Sequence, residues 1–158
     1  NLRYIAIASH DDATLEHVEE SAALGMSIAE FPTTDIAAAR SHELGLKVLM
    51  GAPNVVRGGS HSGNIAAADL AREGVLDILS SDYYPSSLLR AVKGLADLEG
   101  GYDLAKAVST VSLAPAQSVN LQDRGQIKVG LRADLVAVKE VNDQFVINQV
   151  WRQGQRVF

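Results

Sequence analysis

The chain has 158 residues, a length that fits one domain or part of a domain with a small appendage. Its formal net charge is −5, which argues against a general nucleic-acid-binding or anionic-membrane-binding surface because such surfaces need basic patches; a locally bound phosphate is still allowed. It contains no cysteine, which excludes a disulfide framework, a thiolate nucleophile and a zinc–thiolate site. No apolar run approaches the roughly 18 residues of a membrane span, and we expect a cytoplasmic protein.

Four apolar segments with β-like character alternate with helical segments in the first half of the chain. Strands are expected at Arg3–Ser9, Ser27–Phe31, Leu46–Met50 and Val75–Ser81. Strands that are separated by helices are normally parallel, and the carboxyl ends of parallel strands open on one face of the sheet. Since active sites in βα architectures are built on that face, functional residues are expected at these strand ends.

The connecting helices carry start and stop signals. The first is expected to bury Leu15 and Val18 and to stop at Gly25. The second should span Ile36–Leu44 after a capping turn. The third connection differs, because Gly51–Asn64 is so rich in glycine and serine that it predicts a long loop.

The second half of the chain is less regular. Helices are expected at Ser86–Leu98 and Asp103–Val111, with a helical turn at Pro115–Asn120, and β-like pieces at Gln126–Val129, Ala133–Val138 and Gln144–Arg152. Apolar and polar residues alternate with period two in the last piece, which indicates an antiparallel hairpin.

Ionisable side chains stand at or just beyond the ends of three predicted strands. His10 can offer one ring nitrogen to a divalent metal while a carboxylate orients the other, although it can equally be an exposed residue of a capping loop. Asp82 can bind a metal and take a proton from metal-bound water, or it can cap the following helix. Glu30 is a further metal-ligand candidate, with pairing to a neighbouring cation as the alternative.

The segment after the third strand has chemistry suited to a phosphate group. Glycine lets backbone N–H groups turn toward an anion, serine donates, and arginine grips phosphate oxygens through two N–H groups. The candidate substrate-binding residues are Asn54, Arg57, Gly58, Gly59 and Ser60, and His61 lies in the same segment. The pattern is not a P-loop, and the alternative is a mobile surface loop with one incidental histidine.

The segment Gly125–Val136, together with Pro115-Ala116 and Asp123-Arg124, resembles the C-terminal tail of the amidohydrolase superfamily. Further segments are similar to a phosphonate-metabolism branch of that superfamily: Ser9–Thr14, Ala29–Pro32, Met50–Asn54, Gly58–Asn64 and Leu79–Pro85. The resemblance covers essentially the whole chain and implies an α/β fold. Residues 1–120 would form the C-terminal half of a (β/α)8 barrel, and residues 121–158 would form part of a small β-domain with a hairpin.

The resemblance also implies a metal-dependent diphosphatase that releases pyrophosphate from a phosphorylated sugar phosphonate, ribose 1-methylphosphonate 5-triphosphate. A divalent ion (Zn, Mn, Fe or Mg) would be held by His10 and Asp82, at the positions of the fifth-strand and eighth-strand ligands. The superfamily often places a histidine on the sixth strand, where this chain has Glu30, and His61 can substitute from the loop. Asp82 would act as the base, while Arg57 and the loop would neutralise phosphate charge.

Two other functions stay open. An enzyme that cleaves a cyclic amide or an N-acyl group would keep the fold, but an uncharged amide has little use for a polyanion site around Arg57. An assembly or binding module would take up no metal and catalyse nothing.

The four βα units have consequences for assembly, because they cannot close an eight-stranded barrel. We expect the chain, which begins at Asn1, to be the C-terminal part of a larger enzyme. It should be inactive without the N-terminal half of the barrel as its partner. Open sheet edges also predict a homo-oligomer.

Overall fold

The computed structural model describes residues 5–59 and 63–158 and contains two β-sheets. A parallel sheet has the strand order β1-β2-β3-β4, and an antiparallel sheet has the order β5-β6-β7. The strands are β1 Ala8–His10, β2 Ile28–Glu30, β3 Lys47–Gly51, β4 Ile78–Ser80, β5 Leu135–Val141, β6 Gln144–Arg152 and β7 Gln155–Arg156. The α/β class, the parallel βα units and the C-terminal hairpin are therefore confirmed.

Seven helices lie in the described ranges: α1 Leu15–Ala23, α2 Asp35–Glu43, α3 Ala52–Arg57, α4 Ala67–Arg72, α5 Ser87–Asp97, α6 Leu104–Ser109 and α7 Leu113–Ser118. The Thr14 and Thr34 hydroxyls accept N–H groups in the first turns of α1 and α2, and α2 begins at Asp35, one residue before the expected start. Gly25 and Gly45 follow these helices in the left-handed conformation, at φ 78° and 84°. None of the described helices is long and apolar enough to cross a membrane.

The predicted loop Gly51–Asn64 is wrong in its first half, where α3 lies. Pro53 occupies the first turn of this helix, and Gly58 ends it at φ 78°. The glycine that suggests a loop is therefore a helix stop. Ser60, His61 and residue 62 lie outside the described residues.

Two smaller predictions are also wrong. Leu15 is 43% exposed, because the buried positions of α1 are Val18 and Ser21. The segment Gln126–Val129 forms no strand, and its Ile127 and Val129 are exposed.

The two faces of the parallel sheet differ in what covers them. Val48, Met50 and Leu79 point to the face that packs against helices, where they join a core with Leu70, Ala91, Val92 and Leu95. The strand register aligns four other residues in one row across all four strands: His10, Glu30, Leu49 and Ile78. Because side chains alternate along a strand, this row faces away from the helix layer. It is the face that would line the interior of a closed barrel.

The antiparallel sheet is attached to the parallel part through α5. The Lys93 ammonium on α5 lies 2.9 Å from an Asp143 oxygen and 3.5 Å from a Glu140 oxygen, both on the hairpin. Phe145 packs against the core next to these contacts. The hairpin therefore contacts the outer helix layer through Phe145 and a cluster of charges.

Candidate functional site

Asp82, Asn54 and Arg57 line one pocket of about 180 Å³ at the carboxyl ends of the parallel strands. The other lining residues are Asp11, Phe31, Pro32, Met50, Gly51, Pro53, Asn64, Ile65 and Tyr83. The structure thus brings together three of the predicted site residues on one rim. His10 does not line this pocket but adjoins it through its neighbour Asp11.

Asp82 lies over the end of the neighbouring strand rather than at the start of a helix. A Cβ atom built at Gly51 would lie 3.3 Å from Asp82 Oδ2, so the absent side chain of Gly51 makes room for this carboxylate. The N-cap of α5 is Ser86. The alternative in which Asp82 caps that helix is therefore wrong, and the exposed carboxylate is available to the pocket.

His10 and Glu30 are paired directly across β1 and β2. The Nδ1 atom of His10 lies 2.9 Å from Oε2 of Glu30, and the two residues are register partners. This hydrogen bond is the largest influence on the imidazole and raises the pKa of His10, while partial burial lowers it. Nε2 of His10 lies 3.5 Å from Oδ2 of Asp11. Glu30 therefore orients His10 through Nδ1, as a carboxylate does behind a metal-binding imidazole.

The backbone is left-handed just after three of the four parallel strands. Asp11, Phe31 and Asp82 have φ angles of 59°, 55° and 49°. Such a conformation costs of the order of 1 kcal/mol for a residue with a Cβ, and it is concentrated at functional sites. Asp11 belongs to the Ser9–Thr14 segment, and aspartate directly after a strand is a residue that tolerates this conformation.

Asn54 has a structural role that its sequence position does not suggest. Its Oδ1 atom accepts the Ala67 N–H at 3.0 Å, and its Nδ2 atom donates to the Ile65 carbonyl at 3.4 Å. The side chain thus connects α3 to the start of α4 across the segment that contains residues 60–62. This arrangement holds α3 beside the start of α4.

The predicted phosphate-binding segment after the third strand is partly helical, because α3 occupies its first half. The Gly58 N–H donates to the Val55 carbonyl at 3.1 Å, and the Gly59 N–H donates to the Asn54 carbonyl at 3.0 Å. These two amides close the end of the helix, so in this conformation they do not point at an anion. Arg57 remains in the pocket, with its guanidinium carbon 5.7 Å from the centroid of the Tyr83 ring.

The donor chemistry of the rim suits a divalent ion but does not complete a site. Imidazole nitrogen and carboxylate oxygen are ordinary ligands for such ions. No group of three or more His, Cys, Asp or Glu side chains in residues 5–59 and 63–158 is arranged to hold a metal. His10 is the last residue of β1 and Asp82 follows β4, so the two side chains come from the two outer strands of the parallel sheet.

Comparison with known proteins identifies a family and a fold. A family model described as the amidohydrolase family matches residues 6–157. The chain is 59% identical over 157 residues to the alpha-D-ribose 1-methylphosphonate 5-triphosphate diphosphatase of Escherichia coli strain K12. The match covers 99% of this chain and 42% of that enzyme, so the chain spans about two fifths of the length of this curated relative.

Two solved structures are similar in fold. An ochratoxinase from A. niger superposes with a TM-score of 0.67 at 16% identity, covering 96% of this chain and 41% of that one. An N-acetylglucosamine-6-phosphate deacetylase from Pasteurella multocida superposes with a TM-score of 0.65 at 14% identity, covering 96% and 50%. At these identities the likeness concerns the fold alone.

Proposed function

This chain belongs to the amidohydrolase family, and from that premise we propose that it is the C-terminal part of a hydrolase of phosphonate breakdown. The proposed reaction releases pyrophosphate from ribose 1-methylphosphonate 5-triphosphate and leaves the 5-phosphate. The observation that carries the proposal is the 59% identity, over 99% of this chain, to a relative with that printed activity. The pocket lined by Arg57 and Asp82 has the charges that hydrolysis of a polyphosphate needs.

Members of the family generally use a divalent metal ion. We assign one ligand position to His10 through Nε2, since Glu30 occupies Nδ1, and a second to Asp82. His61 and the rest of the barrel would supply the remaining donors. When bound, such an ion lowers the pKa of a coordinated water and neutralises charge on phosphate oxygens.

Two residues of this chain would carry the remaining catalytic roles, proton transfer and charge stabilisation. The bond that breaks is the P–O bond between the α- and β-phosphates, and water supplies a hydroxyl to one side and a proton to the other. Asp82 accepts the proton of the attacking water, for which its exposed carboxylate on the rim is suited. Arg57 balances the negative charge of the phosphate groups, and electrostatic stabilisation of this kind provides most of the catalysis in phosphoryl transfer.

We further propose that other strands of the same barrel close against this sheet. The row that contains His10 and Glu30 faces away from the helices, and His10 is exposed there. Ile5 and Ile7, just before β1, are 76% and 50% exposed, which is unfavourable unless another element covers them. The chain alone would then be inactive.

A cytoplasmic location and a homo-oligomer remain parts of the proposal.

The test is an assay of the full-length protein, loaded in turn with Zn, Mn, Fe and Mg. Pyrophosphate release from the triphosphate substrate is measured beside hydrolysis of a cyclic amide and of an N-acyl amino acid. We expect turnover of the triphosphate alone. Turnover of an amide with no pyrophosphate release would assign the other enzymatic function, and no metal uptake with no turnover would indicate a binding module.

A further inference from the structure

We propose that Tyr83 is a positioning residue for substrate binding, whose ring holds the Arg57 guanidinium over the pocket so that it meets the terminal phosphates of the substrate. This inference rests on the proposed function, because it specifies how that same site selects a polyphosphate. The contact that carries it is the distance of 5.7 Å between the guanidinium carbon and the ring centroid. A cation within about 6 Å of an aromatic centroid is attracted by the negative face of the ring.

Both side chains belong to the pocket, and each is presented by a well-fixed element. Arg57 is the last residue of α3, which the Asn54 side chain connects to α4. On its other side α3 packs closely on α5, because a Cβ atom built at Gly94 would lie 3.3 Å from a methyl group of Val55. These contacts hold the end of α3, and with it Arg57, beside the pocket.

The backbone on either side of Tyr83 is fixed by hydrogen bonds. The Tyr84 N–H donates to the Ser81 carbonyl at 3.0 Å, and the buried Ser87 hydroxyl donates to the Tyr84 carbonyl at 2.6 Å. Tyr83 is 60% exposed. Its ring can therefore be removed without opening a buried cavity.

The N–H groups of a guanidinium lie in its plane, so an arginine that is held over an aromatic ring can also donate to phosphate oxygens. A free arginine side chain would have to lose rotamer freedom when it binds phosphate, and an aromatic support reduces that cost in advance. Tyr83 thereby affects affinity for the phosphate groups more than the chemical step.

The experiment measures kcat and KM for pyrophosphate release by the full-length protein in five variants. We expect Tyr83→Leu to raise KM about two- to fivefold, the size of an exposed cation–π contact, with a smaller change in kcat. Tyr83→Phe, which keeps the ring, should restore the KM. Tyr84→Leu is the matched control, because it removes a contact between tyrosine and Arg90 that lies outside the pocket, and its KM should stay within twofold of the wild type.

The remaining two variants, Arg57→Ala alone and Arg57→Ala combined with Tyr83→Leu, test whether Tyr83 acts through Arg57. The double variant should bind no more weakly than Arg57→Ala alone, since the two residues are coupled. An unchanged KM in Tyr83→Leu, no restoration by Tyr83→Phe, or a full additional loss in the double variant would each overturn the inference.

A binding measurement keeps this test separate from that of the reaction. Calorimetric titration with inorganic tripolyphosphate needs no turnover, so it applies even if the wild-type protein releases no pyrophosphate and the proposed function fails. Weaker binding to Tyr83→Leu than to the wild type and to Tyr83→Phe supports the positioning role. Equal binding to all three contradicts it.

Discussion

His10 and Glu30 are register partners on adjacent parallel strands, and their side chains meet at 2.9 Å between Nδ1 and Oε2. The pairing determines which ring nitrogen of His10 is hydrogen-bonded to another side chain of the protein. A carboxylate on Nδ1 favours the form in which Nδ1 carries a proton and leaves Nε2 for a ligand. Glu30 therefore has a defined use on β2, where it orients the imidazole of His10.

The first prediction concerns the pKa of His10. Glu30→Gln removes the negative partner of the imidazole, so the pKa of His10 should fall from its raised value toward or below the ordinary 6.5. NMR titration of the His10 ring in the 158-residue chain measures it. Glu20→Gln on the exposed side of α1 is the control and should leave the pKa in place. An identical titration curve in both variants would show that the hydrogen bond is absent in solution.

The same pair makes a small pH-dependent contribution to stability. Because the folded pKa of His10 is raised above the unfolded value near 6.5, the contribution is fully present below that pH and is lost as pH rises through the folded pKa. The two side chains are 60% and 35% exposed, so solvent weakens the effect. Unfolding midpoints of the wild type and Glu30→Gln should therefore converge at high pH.

The second prediction concerns Asp82 as the base. In the full-length protein, Asp82→Asn should abolish turnover while folding is kept, because the amide cannot accept the proton and its side chain is exposed on the rim. Steady-state rates and a thermal melt are compared. Asp69→Asn, which alters an exposed pair with Arg72, serves as the control for a lost surface charge. A rate close to that of the wild type in Asp82→Asn would contradict the assignment.

Much of the fold and part of the site could be predicted from the sequence. Local chemistry specifies the helix starts at Thr14 and Thr34 and the stops at Gly25 and Gly45, since each depends on neighbouring residues only. Parallel pairing follows from the alternation of strands and helices. The placement of Asp82 on the pocket rim follows in turn, because the carboxyl ends of parallel strands share one edge.

The rest depends on contacts that sequence spacing does not reveal. The pairing of His10 with Glu30 requires the strand register, and the two bonds of Asn54 require the position of α4. The glycine content of this segment could not distinguish a loop from a helix end, since glycine at Gly58 ends α3. The short α3 was missed because six residues are too few for a helical period to be recognised.

The third prediction concerns Asn54 as a connector. Asn54→Ala removes an acceptor for the Ala67 N–H and a donor to the Ile65 carbonyl, and we expect a loss of about 1–2 kcal/mol in the free energy of unfolding. Urea denaturation of the 158-residue chain measures it. Gln117→Ala on the exposed side of α7 is the control and should change stability by less than about 0.5 kcal/mol. Equal midpoints for both variants would mean that the connection adds nothing to stability.

The last prediction concerns the contact between Gly125, which has φ 92°, and the start of α7. A Cβ atom there would lie 2.9 Å from both the Leu113 Cα atom and the Ser112 carbonyl oxygen. Gly130 has a similar φ of 87°, but a Cβ atom built there meets nothing within 4 Å. The two glycines therefore share the conformational strain of an alanine substitution and differ in the steric clash.

Gly130→Ala should lower the free energy of unfolding by about 1–2 kcal/mol from the left-handed backbone alone. Gly125→Ala should lower it by at least about 1 kcal/mol more, because backbone atoms on both sides of the contact must shift to admit the methyl group. Urea denaturation of the two variants side by side isolates the clash. If Gly125→Ala is no less stable than Gly130→Ala, the tail does not approach α7 as closely as the structure places it, and the docking of the antiparallel sheet must rest on Lys93 and Phe145.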